Sequence, residues 1–291
     1  VPQTSNPDWK ITTRRMSFEE TLAEIPKHFA DDGDLLMSHF WAVLSATFPE
    51  GEDGFVRSVR HYRDQISDPD LKRQVAGFIG QEAQHSRAHS AFNNRLAELG
   101  YPVERIERIN KRVNGFAERV QSPETNLAFT VASEHFTALM AELAFRDQRF
   151  RDSFGHPATY ELLLWHALEE AEHKSVAFDV YRAIGGSEHK RIRTMRFMRR
   201  TLPVWGVLLL VQAIVCDPAG RQPRTLVRSI RRFKKSPLFS REMRDAIRDF
   251  ERPDFHPSQR DTTALLEEWR ERLFGEDGSM NDRLVGRAAV A

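Results

Sequence analysis

Apolar positions in the first two thirds of the chain recur with helical period, and helix start and stop signals bracket each run. Ser17 followed by Glu20 has the form of a capping box, and FEETLAEIPKHF reads as a short first helix. From Asp34, LLMSHFWAVLSATF is apolar on all sides, as in a helix buried among others. Pro49 and Gly51 interrupt it, and GEDGFVRSVRHYRDQI resumes with helical spacing at Phe55, Val59 and Tyr62. A further helix runs from about Leu71 to Leu99, closed by Gly100 with Pro102 beyond. Residues 103–120 read as a polar helix. Ser122-Pro123-Glu124 supplies an N-cap, a proline for the first turn and an acid beside it, launching a helix to about Phe150. Pro157 starts ATYELLLWHALEEAEHKSVAFDVYRAI, which Gly185-Gly186 ends. Sustained β alternation and repeats are absent from 1–186. The expectation is an all-α protein, with a four-helix bundle formed near 36–66, 71–99, 123–150 and 158–184.

The character changes after 187. RIRTMRFMRR leads into Leu202–Cys216, whose only strongly polar member is Gln212. That stretch is shorter than the roughly 18 residues a membrane span needs, and Pro203 sits near its start. The default expectation is a buried helix of the same domain; the alternatives are a monotopic membrane contact or a lid over a hydrophobic substrate. Further helical pieces follow around 222–234, 240–250 and 261–274. The chain thus divides into an N-terminal extension with a short helix (1–33), a bundle (34–186) and a helical C-terminal extension packed on it (187–291).

Composition narrows the class. A chain of 291 residues can bury roughly three quarters of its unfolded surface. The single cysteine, Cys216, excludes an internal disulfide and a cysteine-built zinc or iron–sulfur site. The opening VPQTSNPDWK shows no basic segment followed by an apolar one, so the expected location is cytoplasmic. The net charge of +1 hides an asymmetry, because residues 190–235 carry 13 Lys and Arg against one acid, Asp217. Such a segment suits a solvated face, an anionic membrane surface or nucleic acid. Its basic residues fall in two blocks, 190–200 and 221–235, on either side of the apolar stretch. Few aromatics (Phe197, Trp205, Phe233) stand among them to stack bases. The expectation is therefore a peripheral contact with the inner membrane face, or a cover over a hydrophobic site, and no nucleic acid.

Two Glu-x-x-His units carry the candidate chemistry: Glu82-Ala83-Gln84-His85 and Glu170-Ala171-Glu172-His173. Residues three apart on a helix share a face, so each pair can close on one ion. Each of the other two long helices offers an acid among apolar or small neighbours, Glu52 before the first unit and Glu134 before the second. Glu50 lies close enough to compete with Glu52. The order Glu, Glu-x-x-His, Glu, Glu-x-x-His, one contribution per helix, is the signature of ferritin-like di-iron and di-manganese carboxylate bundles. His166 shares a face with Glu170 and His173 at i, i+4 and i+7. Glu169 and Glu172 point about 100° or more away from Glu170 and His173 and are expected in solvent or helix contacts. His89, one turn past His85, lies within reach of a ligand. His135 should point elsewhere, His256 reads as a loop or capping residue, and Asp179 offers an acceptor to orient a ligand histidine.

On these residues the segment from about 34 to 182 resembles ferritin-like di-iron carboxylate proteins. The histidine four residues before the last Glu-x-x-His resembles the extra-histidine site of p-aminobenzoate N-oxygenase-type di-iron enzymes. The chain as a whole, with FPEGE, WHALEEAEHK and the late PDFHPS, is similar to the bacterial family labelled "predicted metal-dependent hydrolase". The resemblance implies two metal ions held by Glu52, Glu82, His85, Glu134, His166, Glu170 and His173, with Glu82 and Glu170 as bridges. Iron is the expected metal, with Mn or Zn acceptable to the same donors.

Three functions compete. A di-iron site can activate O2 as co-substrate to oxygenate or dehydrogenate a small organic molecule, hydrophobic or an amine. Two ions sharing a hydroxide can hydrolyse a substrate. A metal-binding protein without catalysis is the third. Hydrolase motifs such as Gly-x-Ser-x-Gly and His-Glu-x-x-His are absent, which favours the first. Nucleotide-binding motifs are absent too, so electrons must come from an external donor, either a separate reductase or a small reductant. A homodimer is compatible with all three.

Overall fold

A computed structural model describes residues 11–286; the opening ten residues, on which the expectation about an export signal rests, lie outside the described residues. In chain order the helices are α1 (Glu19–Leu22), α2 (Leu35–Arg60), α3 (Pro69–Glu98), α4 (Val103–Val120), α5 (Pro123–Arg146), α6 (Gln148–Asp152), α7 (Pro157–His173), α8 (Val176–Ala183), α9 (Glu188–Val215), α10 (Pro223–Phe233), α11 (Arg241–Asp249) and α12 (Thr263–Phe274). Among the described residues the sole β pairing is one antiparallel bridge, Met16 to Leu284. The all-α expectation holds.

Local chemistry sets the helix ends. Asp34 accepts from Met37 N, Asp68 from Asp70 N and Ser122 from Thr125 N, satisfying amides that no helical carbonyl can reach. Pro69, Pro123 and Pro157 each stand first in their helix, where no amide is needed. Gly100 ends the run after α3 at φ +84°, a backbone state that costs glycine little.

Helices α2, α3, α5 and α7, the last continued by α8, form the bundle, and the other helices pack on its outside. Its apolar core divides into two clusters. One joins Trp41, Phe92, Phe145, Leu162 and Trp165; the other joins Val59, Phe78, Leu127, Val131 and Phe178. Both clusters draw on α2, α3 and α5, from opposite stretches of each helix. A polar layer lies between them, in the middle of the bundle.

Several expectations are corrected. Helix α2 runs unbroken through Pro49 and Gly51. A proline at 49 cannot donate to the carbonyl of Ser45, and that carbonyl instead accepts from Asn93 Nδ2 at 3.2 Å. The expected capping box does not form: the Ser17 hydroxyl donates to Glu19 at 2.6 Å, and α1 is confined to Glu19–Leu22 without a side-chain cap. The expected helix over 158–184 is two, α7 and α8. Lys174 and Ser175 keep backbone angles near the helical region, so the chain kinks between them rather than turning. Leu202–Cys216 is not a buried helix: it continues α9 through Pro203, burying Leu209, Leu210 and Ala213 while Leu202, Val204, Val207, Leu208, Val211 and Val215 are exposed.

Candidate metal centre

Glu52 comes from α2, Glu82 and His85 from α3, Glu134 from α5, and His166, Glu170 and His173 from α7. All seven are buried in the polar layer. They form two adjacent groups with atoms close enough to share an ion, Glu52–His85–His166 and Glu82–Glu170–His173. Glu134 joins the second, its Oε2 lying 3.4 Å from His173 Nε2. Glu170 faces both groups: Oε1 lies 2.9 Å from His166 Nε2 and 3.7 Å from His85 Nδ1, and Oε2 lies 3.6 Å from His173 Nε2. Glu82 Oε1 lies 3.1 Å from His173 Nε2. Glu50 is elsewhere, paired with Arg57 at 2.9 Å, whereas Glu52 lies among the other buried acids and histidines.

The donor set fits a pair of cations. Both oxygens of Glu52, Glu82 and Glu134, Oε2 of Glu170, Nδ1 of His85 and Nε2 of His173 are buried without a hydrogen-bond partner. Buried polar atoms are normally satisfied, and orphans gathered into two adjacent groups are what bound cations would satisfy. Four carboxylates and three neutral imidazoles balance two divalent charges. Without them, burial and then mutual repulsion push the Glu52 and Glu134 carboxyls well above the usual range, and burial pushes Glu82 up. Burial also disfavours ionised Glu170, but His173 and His166 outweigh it and hold that carboxyl well below the usual range.

Each histidine turns one nitrogen inward and anchors the other. His173 Nδ1 donates to Gln81 Oε1 at 2.9 Å, and Gln81 Nε2 donates to Glu172 at 2.7 Å. His85 Nε2 donates to Glu169 Oε2 at 3.1 Å. His166 Nδ1 lies 2.7 Å from His89 Nε2, and the chain continues from His89 Nδ1 to Ser45 Oγ at 2.9 Å and on to Asn93 Oδ1 at 2.7 Å. The directions agree throughout if His166 donates from Nδ1: His89 accepts and passes a donor to Ser45, whose hydroxyl donates to Asn93. Such outer partners fix the ring orientation and tautomer of metal-binding imidazoles.

Sequence reasoning left part of these surroundings open. Of the two settings expected for Glu169 and Glu172, solvent or helix contacts, the structure gives the second, and both are buried. Arg14, from the segment before α1, pairs with Glu169 at 3.1 Å and with Glu172 at 2.8 Å, and Arg270 of α12 also reaches Glu172 at 2.8 Å. Burial pushes the Glu169 carboxyl up to about 8 against the pull of Arg14, and a cation at the centre adds to that pull. Gln81 and Arg14 were missed; neither belongs to a spacing motif. Asp179 orients no ligand: it accepts from His256 at 2.8 Å, while His256 caps the turn at Ser258 as expected. His135 points away to Ala246 O, also as expected.

An apolar cavity of about 40 Å³ abuts the centre at His166 and Glu170, walled by residues including Phe48, Met140, Ala141 and Leu163. Thr137 and the Trp41 indole bring the other polar atoms to its wall, and both already donate to carbonyls, of Glu134 and Ser153.

A third group of potential ligands, His28, His39 and Asp217, lies where the end of α9 meets the bundle. Both imidazole Nε2 atoms meet Asp217 Oδ2, at 2.9 and 3.0 Å, and Lys27 Nζ lies 3.5 Å from the same oxygen. The ammonium already answers the carboxylate, and His39 Nδ1 lacks the partner a ligand imidazole would have. This group is a clamp holding α9.

The chain belongs to the family described as predicted metal-dependent hydrolase, whose model matches residues 12–261. No curated protein and no solved structure matches it. A metal cofactor therefore has two supports, the family and the clustered donors.

Proposed function

We propose that Glu52, Glu82, His85, Glu134, His166, Glu170 and His173 hold two iron ions, and that the protein is an O2-dependent oxidoreductase acting on a small, largely apolar organic substrate. Bound iron would supply the redox chemistry that reduces O2, with electrons from a separate reductase or small reductant. The carboxylates hold the charge of the ions, and Glu170 ties the two positions together. The observation that carries this reading is the cavity beside His166 and Glu170. Hydrolysis at two ions would leave the developing oxyanion to the metals but still asks for a group to protonate the leaving atom. The cavity wall offers no free side-chain donor for that beyond the metal-binding residues, since Thr137 and Trp41 are already engaged. A largely apolar wall suits oxidation of a C–H or amine group.

The family description favours a second reading, metal-assisted hydrolysis with Zn or Mn on the same donors. One experiment separates the two. Protein loaded anaerobically with Fe(II) is mixed with O2, and O2 uptake and the optical spectrum are followed. The oxidase reading expects uptake within seconds and new visible absorption. An inert Fe(II) protein, with ester or phosphoester cleavage by the Zn or Mn form, overturns it.

A further inference from the structure

We propose that α9 and α10 form a docking surface for an anionic lipid bilayer, with α9 lying along the interface. On α9, Arg193, Phe197, Arg200, Val204, Leu208, Val211 and Val215 follow spacings of three and four and so line one stripe, with Val207 at its edge. Every one of them is exposed, and the five aliphatic residues are each more than half exposed. The aliphatic part of the stripe extends about 16 Å along the helix. No charged residue occurs from Leu202 to Cys216.

The second stripe is on α10. Arg224, Arg228, Arg231 and Lys235 recur at i, i+4, i+7 and i+11 along this helix and just past its end, and they line an open groove of about 500 Å³. None of the four has a carboxylate within ion-pair distance among the described residues, whereas Arg232, beside them, is paired with Asp32 at 2.9 Å. The opposite side of α10 is fixed to the bundle: the Phe233 and Phe40 rings lie 5.5 Å apart, and Ser229 donates to Asp34 at 3.1 Å. A four-residue 3-10 turn, Pro218–Arg221, joins α9 to α10, and both helices pack on α2.

An occupant of this surface must offer apolar contact and negative charge together. A bilayer with anionic headgroups offers both: aliphatic side chains enter the acyl boundary while arginines meet phosphates. A second copy of the chain would bring the same positive charges and leave the arginines unanswered. Nucleic acid would answer the arginines and leave the valines in water. Helix α9 contains a window of 18 residues with mean hydropathy 1.3, apolar enough for a span by composition. It lies along the surface instead, because Leu209, Leu210 and Ala213 belong to the bundle core and a spanning helix would tear them out.

The test is flotation of the full chain with phosphatidylcholine vesicles, with and without phosphatidylglycerol, at low and physiological salt. Two variants accompany it, Val207→Asp/Val211→Asp and Arg224→Glu/Arg228→Glu/Arg231→Glu, with melting temperature and metal content as fold controls. Binding is expected to the anionic vesicles only, weakened by salt. The double variant should abolish it, and the triple variant should lower partitioning at least a hundredfold. Absence of flotation at low salt overturns the proposal. So does a dimer in lipid-free solution that the double variant splits while flotation is unchanged, since the apolar stripe then faces a second copy.

Discussion

Glu169 Oε2 accepts from Nε2 of His85 at 3.1 Å, which leaves Nδ1 of the same ring facing Glu170. Glu169 touches no other residue of the seven-donor set by a hydrogen bond, and Arg14 holds it from behind. Its role is to fix which nitrogen of His85 is free. Glu169→Ala should leave the bundle folded and weaken metal binding by about 10–100-fold, the usual cost of losing such a partner. A competition titration against a chelator reads this directly. An unchanged affinity would mean that the imidazole is held by packing alone, against the Trp165 ring 5.1 Å away.

Glu170 and Glu134 should behave differently when removed. Glu170 offers an oxygen to each group of donors, whereas Glu134 meets only the second. Glu170→Ala is expected to lose both ions, and Glu134→Ala to retain one at reduced affinity. Elemental analysis of the purified variants gives the metal-to-chain ratio. Full occupancy in Glu170→Ala would remove that residue from the centre.

The Asp217 clamp makes stability depend on pH. Burial lowers the pKa of His39 to about 4, whereas the unfolded side chain titrates near 6.5. Above 6.5 both states are neutral and His39 contributes nothing to the pH dependence. As pH falls below 6.5 the unfolded chain takes a proton that the folded chain refuses, so stability declines until about 4, where the folded form takes it too. Asp217 is held below the usual carboxylate range in spite of its burial, by His28, a backbone amide and His39, and so stays ionised across that window. The loss attributable to His39 should reach about 2–3 kcal/mol. Denaturant unfolding of the wild type and His39→Gln at several pH values measures it, and the wild type should lose more on acidification. Parallel curves would show that His39 titrates normally in the fold.

That these seven residues would meet was legible because helical geometry ties spacing to direction: a glutamate and histidine three apart must share a face, and four helices each carried one contribution. What surrounds them was not legible, for two physical reasons. Glu169 and Glu172 do point away from the centre, as their angles say, but away from the centre is not toward water in α7. Arg14 and Arg270, more than 90 residues away in sequence from Glu172, cover that side. Likewise Pro49 ends a helix only if the carbonyl of residue 45 has nowhere else to go, and Asn93 on the neighbouring helix accommodates it. Leu202–Cys216 failed differently: apolar content implies burial only when a partner surface exists, and the bundle covers one side of α9 alone.

The cavity beside the centre gives the sharpest test of where a substrate sits. Met140 lines it from α5, is only partly buried, and lies outside the seven donors and their hydrogen-bond partners. A Met140→Trp substitution therefore narrows the cavity without forcing bulk into the closed core, where overpacking costs about 1–3 kcal/mol. At about 40 Å³ the cavity takes an organic molecule only if its walls move apart, and an indole at this position should prevent that while still admitting O2. The variant is expected to keep its metal content and its consumption of O2 by the reduced protein. Turnover of the organic substrate, once identified by screening, should fall at least tenfold. If O2 consumption falls instead and metal content holds, the cavity is the path for O2 and the substrate approaches from another side of His166. If both activities persist unchanged, Met140 lies outside the path of either reactant and the cavity is a packing defect.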